Sequence, residues 1–121
     1  MRAIVYIFLG GGLGSVFRFL ISNYTQRLWH IQTFPMGTFV VNLTGCLLIG
    51  ILSAYFLRID NSLKYLLITG LCGGYTTFST FSAENYSLWQ SAHYGILALY
   101  VLLSVVLGLL MVFLGFQMFR T

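Results

Sequence analysis

An all-α integral membrane domain of four transmembrane helices, the third interrupted at its centre, is the fold this sequence predicts, and three observations predict it. Only 7% of the 121 residues are charged and 59% are apolar, against about 25% charged in an ordinary soluble domain, so the chain could not cover its own surface in water. The apolar residues gather into four stretches, 3–24, 34–57, 63–89 and 94–119, each at or above the roughly 20 residues that span a hydrocarbon core. Inside the third lies Gly73-Gly74-Tyr75-Thr76-Thr77-Phe78-Ser79-Thr80-Phe81. Such a run suits a lipid-facing helix poorly. Irregular backbone in hydrocarbon is tolerated only where protein or a water-filled cavity covers it, so the run points to a conduit or a binding site rather than an anchor.

The first stretch follows Arg2 and resembles a secretory signal peptide, but it lacks a small-x-small cleavage site before a soluble domain and reads as the first membrane helix. Gly10, Gly14 and Arg18 recur on one face of it. The glycines suit close helix packing; with no strand before them they do not form a nucleotide loop. Arg18 is placed to snorkel at the far end and to draw anions towards a vestibule. In the second stretch Thr38, Asn42 and Gly45 share a face. An amide at mid-membrane is costly without partners, which makes Asn42 a candidate pore residue.

The third stretch has its midpoint at Thr76. Paired glycines weaken a helix there, and the Thr76 and Thr77 hydroxyls compete for backbone groups. A break would offer carbonyl oxygens to a cation and half-helix amides to an anion; a continuous helix with hydroxyls bonded to i−4 carbonyls is the other reading. Phe78 and Phe81 share a face. Such a pair commonly fills a core, yet ring edges carry partial positive charge and could meet an anion weakly enough to let it leave. Glu84, the acid within this helix, is either a functional group or an anchor near the interface. In the fourth stretch Tyr100, Ser104 and Gly108 form another polar or small stripe.

Short connections around 26–33, 58–61 and 90–93 make successive helices antiparallel neighbours, and Tyr24, Trp29, Phe34, Tyr65, Trp89 and Tyr94 mark several helix ends. Arg2, Arg58, Lys64 and Arg120 fall on one side, Arg27 and Arg18 on the other, which favours a cytoplasmic N-terminus weakly. The net charge of +4 is scattered, so nucleic acid is not an expected partner. Cys46 and Cys72 have no metal-ligand spacing and read as buried small residues. No nucleophile–base pair suggests an enzyme.

Three blocks now stand together: Gly11, Gly12, Gly14 and Arg18; Pro35, Gly37, Thr38, Asn42 and Gly45; and Gly73 to Glu84. In order and spacing they resemble the small fluoride ion channels, the Fluc or CrcB family, across nearly the whole chain, and the third block is the specific one. The resemblance implies an antiparallel, dual-topology homodimer in the inner (plasma) membrane, each subunit multi-pass, with two pores along the interface that let fluoride leave the cytoplasm passively and so confer fluoride resistance. It implies Asn42, Phe78, Phe81, Ser79, Thr80, Tyr100 and Ser104 as pore residues, with Thr38 among them and Glu84 at the family's acidic position. It also implies a structural sodium ion (Na+) at the dimer centre, held by the Gly73 and Thr76 carbonyls.

Fluoride is small, strongly hydrated and a strong hydrogen-bond acceptor, so a pore must replace its water with donors, and these side chains supply them. One alternative is a small dual-topology, proton-coupled multidrug exporter using Glu84, which leaves the hydroxyl-rich run without a task. Another is an assembly or regulatory subunit of a larger membrane complex, which the polar stripes argue against.

Overall fold

The computed structural model describes residues 1–28, 34–57 and 62–118. Among them every regular element is helical: α1 (Arg2–Leu28), α2 (Met36–Phe56), a π-helical segment (Tyr65–Cys72) running into α3 (Gly73–Tyr75), α4 (Phe78–Gln90) and α5 (Tyr94–Met118). Trp29, His30, the charged connection with Arg58, and the chain end with Arg120 lie outside the described residues. α1, α2 and α5 are each long and apolar enough to cross a membrane. The third apolar stretch is not one helix, because its backbone turns extended at Thr76 (φ −81°, ψ 155°) and Thr77 (φ −149°, ψ 123°) before α4 begins.

Helix ends differ from the sequence expectation for local reasons. α1 continues through Leu28 rather than stopping near 24, since its last turns are packed: Thr25 is buried and the Gln26 side chain bonds the Gly37 N–H at 3.0 Å. α2 begins at Met36 because Pro35 restricts the residue before it to extended geometry and lacks an amide of its own. The turn from α4 to α5 closes with the His93 N–H on the Leu88 carbonyl, 2.9 Å, a Schellman arrangement. Its left-handed position is held by Ala92 at φ 61°. Glycine enters that region without a Cβ clash, so Ala92→Gly is expected to stabilise the protein by about 0.5–1 kcal/mol, read as a higher thermal unfolding midpoint in detergent.

The helices pack as two close pairs, α1 against the π-helical segment and α2 against α5. In the first pair a Cβ on Gly10 would strike the Leu66 carbonyl, one on Gly14 the Leu71 carbonyl, and one on Gly74 the Gly11 carbonyl. In the second, Gly50 lies on the Val112 carbonyl and Gly115 on that of Leu47. Backbone contact of this kind is how helices associate where lipid is as apolar as leucine. In the π-helical segment the Gly73 N–H reaches the Ile68 carbonyl five residues back, and this wide turn leads directly into the break.

Candidate functional site

The break is held open from α2. The Asn42 amide accepts the Thr77 N–H at 2.9 Å and donates to the Thr77 carbonyl at 3.1 Å, so one side chain satisfies both backbone groups of the most extended residue. In an unbroken helix the Thr77 N–H would bond the Gly73 carbonyl and the Thr80 N–H that of Thr76. Here Thr77 turns to Asn42, and the Thr80 N–H bonds the Thr77 hydroxyl at 3.2 Å, which caps α4. The Gly73 and Thr76 carbonyls therefore each lose the donor a helix would have given them.

Two further contacts fix the turn before the break. The Thr44 hydroxyl donates to the Val40 carbonyl at 2.8 Å, leaving the Tyr75 hydroxyl, also 2.8 Å away, to donate to Thr44. A Cβ on Gly45 would run into the Thr76 and Tyr75 side chains. The small residue on the α2 stripe is thus the space into which the broken segment settles.

Thr77 lines two cavities. The larger, about 310 Å³, is walled by Asn42, Thr76, Thr77, Phe78, Phe81 and Ser104, with Cys46 beside them. The Ser104 hydroxyl is buried without a protein partner. The Phe78 and Phe81 ring centroids lie 6.0 Å apart, and Phe78 is 78% exposed on the protomer. The smaller cavity, about 190 Å³, is lined by Ser15, Arg18, Ser22, Thr38, Thr77 and Thr80. Glu84 is the acid among the described residues, and its carboxylate is engaged elsewhere.

That carboxylate joins three helices. One oxygen accepts the Thr38 hydroxyl of α2 at 2.8 Å, the other the Tyr100 hydroxyl of α5 at 2.9 Å. Tyr100 is fully buried, its ring 4.9 Å from Phe81 and 5.3 Å from Phe34, centroid to centroid. Charge-assisted bonds of this sort are stronger than neutral ones.

The sequence-derived residues thus sort themselves. Asn42, Phe78, Phe81, Ser104 and Thr76 share the larger cavity; Thr38, Thr80 and Arg18 share the smaller; Tyr100 and Glu84 link Thr38 to the Phe81 side. Ser79 lines neither of these cavities and stands exposed, its hydroxyl 3.3 Å from that of Thr77. Cys72 is buried, whereas Cys46 borders the larger cavity. Residue-by-residue reading missed Thr77 as the junction, Thr44 as the partner of Tyr75, and Ser15 and Ser22. Thr77 was visible in the motif, but the partner of its backbone N–H and carbonyl, 35 residues away, was not.

This arrangement of break, amide clamp and flanking cavities sits in a sequence that matches, over residues 5–116, the family described as CrcB-like protein, Camphor Resistance (CrcB). The chain belongs to the CrcB-like family. Among curated CrcB-like relatives, a protein of Flavobacterium psychrophilum named fluoride-specific ion channel FluC is 52% identical over 122 residues, covering 95% of this chain and 94% of the relative. Proteins of the same name from Phocaeicola vulgatus and Azobacteroides pseudotrichonymphae are 48% and 44% identical; they cover 98% and 96% of this chain, and 98% and 94% of themselves. The CrcB-like family is a class of channels, not of enzymes.

Proposed function

We propose that this CrcB-like protein is a fluoride-selective channel that lets cytoplasmic fluoride leave passively down its electrochemical gradient. The observation that carries the reading is the helix break at Thr76–Thr77, clamped by Asn42 and flanked by two cavities, the smaller lined by several hydroxyls and the larger mostly apolar with Asn42, Thr76, Thr77 and Ser104 on its wall. An anion shedding water needs donors along its way: Asn42 keeps a second amide N–H, and Ser79, Thr80 and Ser104 offer hydroxyls, whereas Thr38 and Tyr100 spend their single hydroxyl protons on Glu84 and reach the path through that carboxylate. Phe78 and Phe81 supply ring edges, attractive to an anion without trapping it. Arg18 borders the smaller cavity with no carboxylate in contact among the described residues, and raises the local anion concentration there.

The same break argues for a second copy. Extended backbone, exposed Gly73 and largely exposed Phe78 stand at the protomer surface, where lipid would leave polar groups unpaired. An antiparallel homodimer in the inner (plasma) membrane, with each subunit crossing four times, would cover them and complete the pores. A structural sodium ion fits the donor set. Carbonyl oxygens at unwound helix segments are ligands for Na+; Gly73 and Thr76 have lost their helical donors, and no His/Cys/Asp/Glu cluster competes for a softer metal among the described residues. When bound, such an ion would tie two broken helices together and offset part of an anion's field.

The test is reconstitution in liposomes loaded with potassium fluoride and chloride. Addition of a potassium ionophore is expected to release fluoride rapidly while chloride is retained, and preparation in N-methylglucamine in place of sodium to lower that release about tenfold or more, an effect near 1.4 kcal/mol. Absence of fluoride release from folded, dimeric protein would overturn the channel reading.

A further inference from the structure

Gln26 lies near the end of α1, outside both cavities, yet its Oε1 accepts the Gly37 N–H at 3.0 Å across eleven residues of chain. α2 starts after Pro35, which provides no side-chain cap, although the first amides of a helix need acceptors. Gln26 therefore does from a neighbouring helix what an N-cap serine or aspartate does from within. The two helices meet closely there, since a Cβ on Gly37 would lie 2.7 Å from the Ser22 carbonyl oxygen. The residue after Gly37 is Thr38, whose hydroxyl donates to Glu84, and Glu84 in turn accepts from Tyr100. One bonded line runs from α1 through α2 and α4 to α5.

We infer that Gln26 is a positioning residue: by holding the first turn of α2 on α1, it sets the height at which Thr38 meets the Glu84 carboxylate. The inference rests on the fluoride-channel reading. A hydrogen bond between two oxygens forms at about 2.5–3.0 Å, so a shift of the first turn of α2 by about 1 Å would take the Thr38 hydroxyl out of reach of the Glu84 carboxylate.

The experiment measures fluoride efflux from liposomes for wild type, Gln26→Ala, Gln26→Met and Gln26→Glu, for Thr38→Val, and for Gln26→Ala combined with Thr38→Val. Loss of one such bond is expected to lower flux about fivefold in Gln26→Ala and Gln26→Met, and Gln26→Glu, which keeps an acceptor at the same reach, restores it to within about twofold. In the Thr38→Val background Gln26→Ala then adds nothing, because the contact it positions is already gone. Wild-type flux in Gln26→Ala, failure of Gln26→Glu to restore what Gln26→Met has lost, or an undiminished fivefold loss in the Thr38→Val background would each overturn the assignment. Failure of the channel reading looks different: wild-type protein itself then releases no fluoride.

Discussion

Asn42→Asp is expected to abolish fluoride flux while the protein stays helical and assembled. The substitution hardly changes shape, so its effect is chemical. The native amide donates to the Thr77 carbonyl and accepts from the Thr77 N–H; an ionised aspartate keeps the second bond and sets an oxygen against the carbonyl in place of the first. It also puts a negative charge on the wall of the larger cavity. At an effective dielectric near 20, two like charges about 5 Å apart repel by about 3 kcal/mol, which lowers anion occupancy by more than about a hundredfold. Efflux from liposomes, with size-exclusion profiles and circular dichroism as controls, decides the matter, and undiminished flux would remove Asn42 from the pore. Asn42→Ala makes a useful contrast: two backbone groups lose their partner, costing about 1–3 kcal/mol each, and the Thr77 N–H is freed to return to the Gly73 carbonyl.

Tyr100→Phe is expected to reduce flux by between about ten- and a hundredfold with little loss of packing. The ring remains among Phe34, Phe39 and Phe81, but one oxygen of Glu84 loses its donor. A hydrogen bond to a charged group contributes about 1.5–3 kcal/mol, hence the range. Glu84→Gln is a milder change, because the amide oxygen can still accept from Tyr100 or Thr38, and measurable electrogenic fluoride flux is expected to survive. Complete loss on Glu84→Gln, together with proton-coupled efflux of a cationic drug by the wild type, would restore the exporter reading.

Much of the fold was legible because a membrane imposes one dominant rule. Uninterrupted apolar stretches marked α1, α2 and α5, and the glycine–hydroxyl run located the break, since both its weak helicity and its competing hydroxyls are local properties. Where α1 ends was less legible: Thr25 and Gln26 look like loop residues until α2 offers them partners. The π-helical turn at Tyr65–Cys72 left no periodic trace, for an apolar segment reads alike whether its bonds span four residues or five. The candidate site divides in the same way. Polar stripes named Thr38, Asn42, Tyr100 and Ser104 one helix at a time, but the separation into two cavities meeting at Thr77, and the sharing of one carboxylate by Thr38 and Tyr100, depend on how the helices rotate against each other.

The clamp on Thr77 has a consequence for how the protein is made. Its two bonds come from a residue synthesised 35 positions earlier, so the interruption is not a property of the third segment alone. A segment leaving the ribosome by itself would satisfy its own amides and enter the bilayer as a plain helix, the form in which insertion leaves no backbone group unpaired. The unwinding therefore requires α2 in place to receive it, and a third segment deprived of Asn42 has every reason to close into a plain helix.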